Sequence, residues 1–246
     1  REGGTFLGSA RCPELKGEGS RARELKEQAL LNLQRLNISS LVIVGGDGSL
    51  TGGYALFRML HNKEYTNPEL KSMQLSLVGI PGSIDNDIAY TDMSIGVDTT
   101  LNTIVECIDK LRDTATSHRR VIIVEVMGRL RGYLAVMSGL ATGADRVFVR
   151  EEKINQNELS KLLHVLRKSF EYGQKAGIII RSEGARFSTS FLKETIDVLL
   201  KPAREVRETV LGHLQRGGNP TVFERTLATR MGVKAIELLE GTYTEP

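Results

Sequence analysis

Along the chain, short runs of β-branched and aliphatic residues alternate with longer stretches whose apolar positions recur at helical spacing. The runs 41–44, 75–80, 121–126, 147–149, 178–180 and 206–211 predict strands, and the amphipathic stretches 21–36, 49–61, 97–112, 132–141, 157–172, 189–201 and 220–240 predict helices. A strand paired in parallel with the next needs a long crossover, which a helix supplies, so this alternation predicts parallel sheets flanked by helices in an α/β fold. The polar stretch 62–72 is the one predicted loop long enough to be an insertion, and it carries no motif. No internal repeat or low-complexity segment interrupts the pattern.

Composition narrows the class. With 246 residues, 40% apolar and 26% charged, the chain can bury a sizeable core as one large domain or two interleaved ones. A formal charge of +3 with scattered Lys and Arg forms no basic stripe, so neither nucleic acid nor a membrane surface is an expected partner. Cys12 and Cys107 are too few for a disulfide framework and read as free thiols. No apolar run reaches the roughly 18–20 residues that cross a bilayer, which makes the cytoplasm the expected compartment. The chain opens at Arg1 with neither Met nor a first apolar strand and ends at Pro246 after a helical pattern, so it is expected to be a piece of a longer protein.

The first chemical motif follows the first predicted strand. Gly45-Gly46-Asp47-Gly48-Ser49 stands between 41–44 and a helix, and three glycines in four residues let the backbone turn tightly and approach a ligand. The helix start beyond it offers unpaired N–H groups to an anion, and a polyphosphate suits that geometry. Asp47, set among the glycines, can hold Mg²⁺ directly or through water, because a hard cation takes carboxylate and phosphate oxygens. The plainer alternative is a strand-to-helix turn with Asp47 as a cap. Loops of this kind also resemble those of NAD kinases and diacylglycerol kinases.

A second motif follows the 75–80 strand. In Pro81-Gly82-Ser83-Ile84-Asp85-Asn86-Asp87, two carboxylates lie two residues apart beside a hydroxyl. Phosphoryl transfer needs an attacking hydroxyl oriented in line and relieved of its proton, which a carboxylate within hydrogen-bond reach accepts. Asp85 is the candidate base, Asp87 a candidate support for a metal's water shell, and Ser83 a candidate donor to a transferring phosphoryl oxygen. Asx turns are the alternative role for both aspartates.

Over nearly its whole length the sequence resembles the phosphofructokinase family. Five blocks carry the resemblance in family order: 3–11 (Gly-Gly-Thr-Phe-Leu-Gly-Ser-Ala-Arg), 45–49, 81–87, Met127-Gly128-Arg129, and 211–218 (Leu-Gly-His-Leu-Gln-Arg-Gly-Gly). The resemblance implies two interleaved lobes, each a mostly parallel sheet flanked by helices. Residues 1–96 with 215–246 would form the nucleotide lobe and 97–214 the sugar lobe. It implies transfer of the γ-phosphoryl group of ATP to the 1-hydroxyl of fructose 6-phosphate, a step of glycolysis. Asp85 would be the general base, Ser83 and Arg129 would assist it, and Asp47 would handle Mg²⁺. Arg11, Gly46, Gly48 and Ser49 would contact the nucleotide.

On the sugar side, the resemblance implies Met127, Gly128, Arg129, His213 and Arg216 as phosphate and sugar contacts with Asp87, and Glu183 as acceptor from sugar hydroxyls. Arg120 and Arg207 would reach the 6-phosphate from a neighbouring subunit, with Arg119 and Arg204 as close rivals, which implies a homo-oligomer such as a tetramer. Ser83 stands where the family has threonine, and Arg131 where it has a small residue. Glycine at 48 and 82 points to ATP rather than pyrophosphate as donor. A pyrophosphate-dependent enzyme and a catalytically silent regulatory subunit are the alternatives. Arg112 and Asp145 fall where bacterial members contact an effector, although the basic run there is thinned to Gln174-Lys175. The family's first strand and closing segment lie outside this sequence, so the chain alone is expected to be poorly stable and weakly active.

Overall fold

The computed structural model of the chain describes residues 4–5, 8, 12–152 and 156–241. Among these, one compact unit is made of Gly4, 84–87 and the described residues of 96–221, the other of the described residues of 5–83 with 88–95 and 222–241. The sequence boundaries, by comparison, fall at 96/97 and 214/215.

In the second of these units, a 3₁₀ turn at Pro13–Lys16 leads into α1 (Ser20–Arg35), β1 (Ser40–Gly45), α2 (Asp47–His61) and a further 3₁₀ turn at Pro68–Ser72. β2 (Ser76–Pro81) follows, and α7 (Val222–Glu240) completes the unit. β1 and β2 pair in parallel with Leu41 opposite Leu77 and Gly45 opposite Pro81. Leu30 and Leu31 of α1, Leu56 and Met59 of α2, Leu70 and Leu75 form its core. The predicted 62–72 loop is thus partly ordered: Asn67 accepts a bond from the Glu69 amide at 2.9 Å and starts the Pro68–Ser72 turn. Thr66 and Asn67 are held by the buried Glu27, which accepts both of their amides.

The other unit holds α3 (Val97–His118), β3 (Val121–Val126), α4 (Tyr133–Thr142), β4 (Arg146–Phe148), α5 (Gln156–Glu171), β5 (Gly177–Ser182), α6 (Thr189–Leu200) and β6 (Val206–Val210). Its four strands are parallel, in the order β4-β5-β3-β6. The central pair explains the sequence pattern. A strand covered on both faces reads as continuous apolar residues rather than alternating ones, and Val121–Val124 and Ile178–Ile180 are all buried. Val121, Ile123, Ile179 and Val206 pack with Leu166 of α5 and Leu192 and Ile196 of α6, while α3 and α4 run beside the same sheet.

The expected helix at 97–112 continues to His118. Its apolar period fades after Leu111 because the last turns are mostly solvent-facing, with Ala115 alone fully buried among them. Arg119 then closes the helix at a φ of 53°. Gly143 does the same for α4 at 59°, a left-handed position that glycine takes without a Cβ penalty. Cys12 and Cys107 are free thiols, as expected. Among the described residues no helix is long and apolar enough to cross a membrane.

Candidate functional site

The phosphate-loop motif is more helical than its sequence suggests. Gly45 is the last residue of β1, Gly46 is the extended N-cap, and Asp47 already begins α2, so Asp47, Gly48 and Ser49 form the first helical turn rather than a loop. The amides of Ser49 and Leu50 return to the Gly46 carbonyl at 3.0 and 3.1 Å. Glycine at 45 is dictated by contact: a Cβ there would lie 2.7 Å from the Ser49 side chain. On the far side of the loop, the Gly82 amide donates to the Gly45 carbonyl at 2.9 Å, and the Ser83 hydroxyl faces Gly46 about 3.7 Å from where a Cβ would stand. Buried Ser94, which sequence reasoning did not single out, donates to the Ser83 carbonyl at 2.6 Å and holds that turn.

Asp47 projects from the first turn, half-exposed, and pairs with Lys16 at 3.0 Å. The helix-start amides and Lys16 favour phosphate oxygens, while Asp47 supplies one carboxylate ligand, which fits a divalent ion only if it arrives with phosphate oxygens of its own. No three His, Cys, Asp or Glu side chains cluster as a ready-made metal cage among the described residues. Arg11, an expected nucleotide contact, lies outside the described residues.

In the 96–221 unit, together with 84–87, the structure brings a second group together. Burial, then the charges of Asp87 and Glu183, pushes the Asp85 carboxyl above its ordinary value, while Arg216 and Arg129 pull it partly back. Three carboxylates and two guanidiniums therefore share one neighbourhood, contributed by four chain segments. Arg129 sits at φ 51° in a turn that follows β3, preceded by Gly128 at 137°. The turn closes through the Arg131 amide onto the Gly128 carbonyl at 2.8 Å, and a Cβ on residue 128 would strike the Arg131 carbonyl at 2.4 Å. Glu183, just past β5, accepts the Arg129 amide at 2.5 Å.

Gln215 joins the remaining pieces. Its buried side chain accepts the Met127 amide at 3.0 Å and donates to the Gly212 carbonyl at 2.9 Å, while its own carbonyl accepts the Thr100 hydroxyl at 2.9 Å. The Met127–Arg129 turn is thereby tied to the Gly212–Arg216 3₁₀ turn that presents His213 and Arg216. The sequence reading quoted Gln215 within a motif but gave it no task. Its place inside a glycine-flanked motif is the signal in the sequence, while its burial, at 1% exposure, shows only in the fold.

Two expected sugar-phosphate cations lie elsewhere. Arg120 precedes β3 and Arg207 is the second residue of β6, so both stand at the amino ends of strands whose carboxyl ends lead to Met127 and to Leu211. The six residues of β3 span about 20 Å, and the four steps from Arg207 to Leu211 span about 13 Å. Both arginines pair with Glu205, Arg120 at 2.6 Å. Their rival Arg204 binds the carbonyls of Arg119 and Lys175 and lies over the Phe170 ring. The two residues expected at an effector site also have structural partners: Arg112 donates to the Thr142 carbonyl, and Asp145 accepts from Gln174 and from the Ile178 amide. The Arg131 side chain is exposed, and its carbonyl accepts the Ser182 hydroxyl.

Comparison with known proteins adds a lineage to this geometry. The family model described as Phosphofructokinase matches residues 1–239. An ATP-dependent 6-phosphofructokinase of Macrococcus caseolyticus is 45% identical over 247 residues, covering 99% of this chain and 69% of that protein. One from Bacillus pumilus is 43% identical over 237 residues, covering 96% of this chain and 66% of its own length. The crystal structure of Pichia pastoris phosphofructokinase in the T-state superposes with a TM-score of 0.83 at 39% identity, covering 96% of this chain and 25% of that one. The chain thus spans about two thirds of these bacterial relatives and a quarter of the yeast chain.

Proposed function

The chain belongs to the phosphofructokinase family, and from that premise we propose that it phosphorylates fructose 6-phosphate at the 1-hydroxyl with ATP as donor. The observation that carries the reading is the neighbourhood of Asp85. A carboxylate whose proton affinity is raised by burial and by Asp87 and Glu183 is a better base than an ordinary aspartate, and Arg129 and Arg216 beside it suit a phosphorylated substrate. In the proposed reaction the sugar hydroxyl oxygen forms its bond to the γ-phosphorus as its proton passes to the Asp85 carboxylate, and the bond to ADP breaks. Glu183 accepts from sugar hydroxyls, while Met127, Gly128, His213 and Asp87 complete the sugar side.

The β1–α2 turn serves the nucleotide: Gly46, Gly48 and Ser49 approach the phosphates through backbone and hydroxyl, with Ser83 as a further hydroxyl donor. Asp47 would hold Mg²⁺, exchanging its bond to Lys16 for the metal. That ion would neutralise charge on the phosphates. The 5–83 unit with 222–246 is the nucleotide lobe in this reading, and the 96–221 unit is the sugar lobe. Arg120 and Arg207, at the other strand ends, serve a neighbouring copy in a homo-oligomer such as a tetramer, and the enzyme works in cytoplasmic glycolysis.

The test is turnover of fructose 6-phosphate by the protein at full length, with Mg-ATP and Mg-pyrophosphate offered separately, alongside Asp85→Asn. Turnover with ATP alone, lost in the variant, supports the reading. Turnover with pyrophosphate overturns the donor, and sugar-phosphate binding without turnover makes the chain a regulatory subunit.

A further inference from the structure

Arg181 is a charge in the middle of a core. It occupies β5, a strand buried at every position, and is itself only 6% exposed. A guanidinium taken out of water is strongly destabilising unless its donors find acceptors. Arg181 finds four. It pairs with Glu125 at 2.6 Å, its register partner on β3, and donates to the carbonyls of Phe187 at 2.5 Å, Ala185 at 3.0 Å and Glu183 at 3.3 Å. Glu125 in turn accepts the Thr189 hydroxyl at the start of α6. Three alternate carbonyls of one loop, 183–187, are thus gathered around a single planar fork, which a lysine ammonium cannot reproduce.

That loop begins with Glu183, whose amide donates to the Val126 carbonyl at 2.8 Å and whose carboxylate accepts the Arg129 amide. Gly184 lies so close to the same turn that a Cβ would sit 2.5 Å from the Arg129 carbonyl. We propose that Arg181 is a positioning residue for sugar recognition: bracketed by Glu125, it sets the 183–187 loop, and through it the Glu183 carboxylate and the Arg129 turn. The inference rests on the reading of Glu183 as a sugar contact.

The experiment measures fructose 6-phosphate binding by calorimetry and the sugar KM and kcat in the full chain for Arg181→Lys, Glu183→Gln and the double variant. Arg181→Lys is expected to raise the sugar KM about tenfold and leave the Mg-ATP KM within twofold. Because Arg181 acts through the loop that carries Glu183, the loss in the double variant should fall well short of the product of the two single losses. A double-variant loss equal to the product of the two single losses, or an unchanged sugar KM in Arg181→Lys, overturns the proposal. If Arg181→Lys fails to fold, Arg181→Met with Glu125→Gln removes both buried charges, keeps an acceptor for Thr189, and should show the same split. Absence of sugar-phosphate binding by the unsubstituted protein would remove the function reading instead. Amide exchange then still decides the local device, since faster exchange at 184–188 and Arg129 in the variant is required by it and unchanged exchange overturns it.

Discussion

The two motif regions solve their tasks with different materials. The β1–α2 turn is built from contiguous backbone: Gly45 and Gly46 admit close neighbours, α2 begins at once, and a single half-exposed carboxylate, Asp47, adds charge. The Asp85 neighbourhood is built from side chains that are far apart in sequence, with Asp87, Arg129, Glu183 and Arg216 acting on one partly buried carboxyl. Their supporting sheets differ in the same way. β3 and β5 are flanked by strands on both sides and bury nearly every residue, whereas β1 pairs with β2 alone among the described residues and leaves Val44 60% exposed. A site made of backbone tolerates a lighter scaffold, because its geometry is written into a few residues. A site made of converging charges needs a rigid core to hold ions that would otherwise separate or bind water.

The largest expected effect tests the converging charges. Asp85→Asn should lower kcat about a thousandfold while sugar binding changes by less than about threefold, read by steady-state kinetics with direct binding. A loss confined to KM would mean that Asp85 binds rather than accepts a proton.

Gly128→Ala comes next. The new Cβ meets the Arg131 carbonyl and forces an L residue to φ 137°. A loss of about 2–3 kcal/mol in denaturant unfolding is expected, with a raised sugar KM as the Arg129 turn moves. Gly48→Asp probes the other region. A side chain there has room, its nearest neighbour being Lys16 at 3.6 Å, and a carboxylate in the first turn of α2 suits the helix dipole, so melting temperature should hold or rise slightly. The KM for Mg-ATP should nevertheless rise at least about tenfold through like-charge repulsion of the phosphates. If the fold rather than the nucleotide responds, the turn is only a turn.

The smallest effect separates fold from chemistry at one residue. The Asp85 carboxyl is raised above its ordinary value, so the fold resists its ionisation, and this native-state penalty appears as pH rises through the raised pKa and vanishes in acid. Asp85→Asn should therefore melt about a degree or two above the parent at neutral pH, with the difference closing as pH falls toward the ordinary carboxylate range. The proposed activity runs the opposite way, since the base must be ionised, and falls with pH through the same raised pKa.

Local order was largely legible in the sequence. Continuous β-branched runs marked β3 and β5, and glycine spacing marked the β1–α2 turn, because both signals reside in neighbouring residues. The misses have physical causes. The strand expected at 178–180 runs on through Arg181 and Ser182, since a charge reads as solvent-facing until its partner on the next strand is known. α3 outlasts its apolar period, and the turn expected before the 49–61 helix shrinks because Asp47 and Gly48 already belong to the helix.

The sequence by itself determined the α/β alternation, the glycine turn, the Asp85–Asp87 pair and the resemblance that ranked them. Only the tertiary structure decided that Arg129, Glu183 and Arg216 act on Asp85, that Gln215 and Arg181 hold the turns which present them, and that Arg120 and Arg207 stand at the other ends of their strands. The reason is range: backbone conformation is governed by residues a few positions apart, whereas electrostatic environment and burial depend on which strands the sheet order makes neighbours.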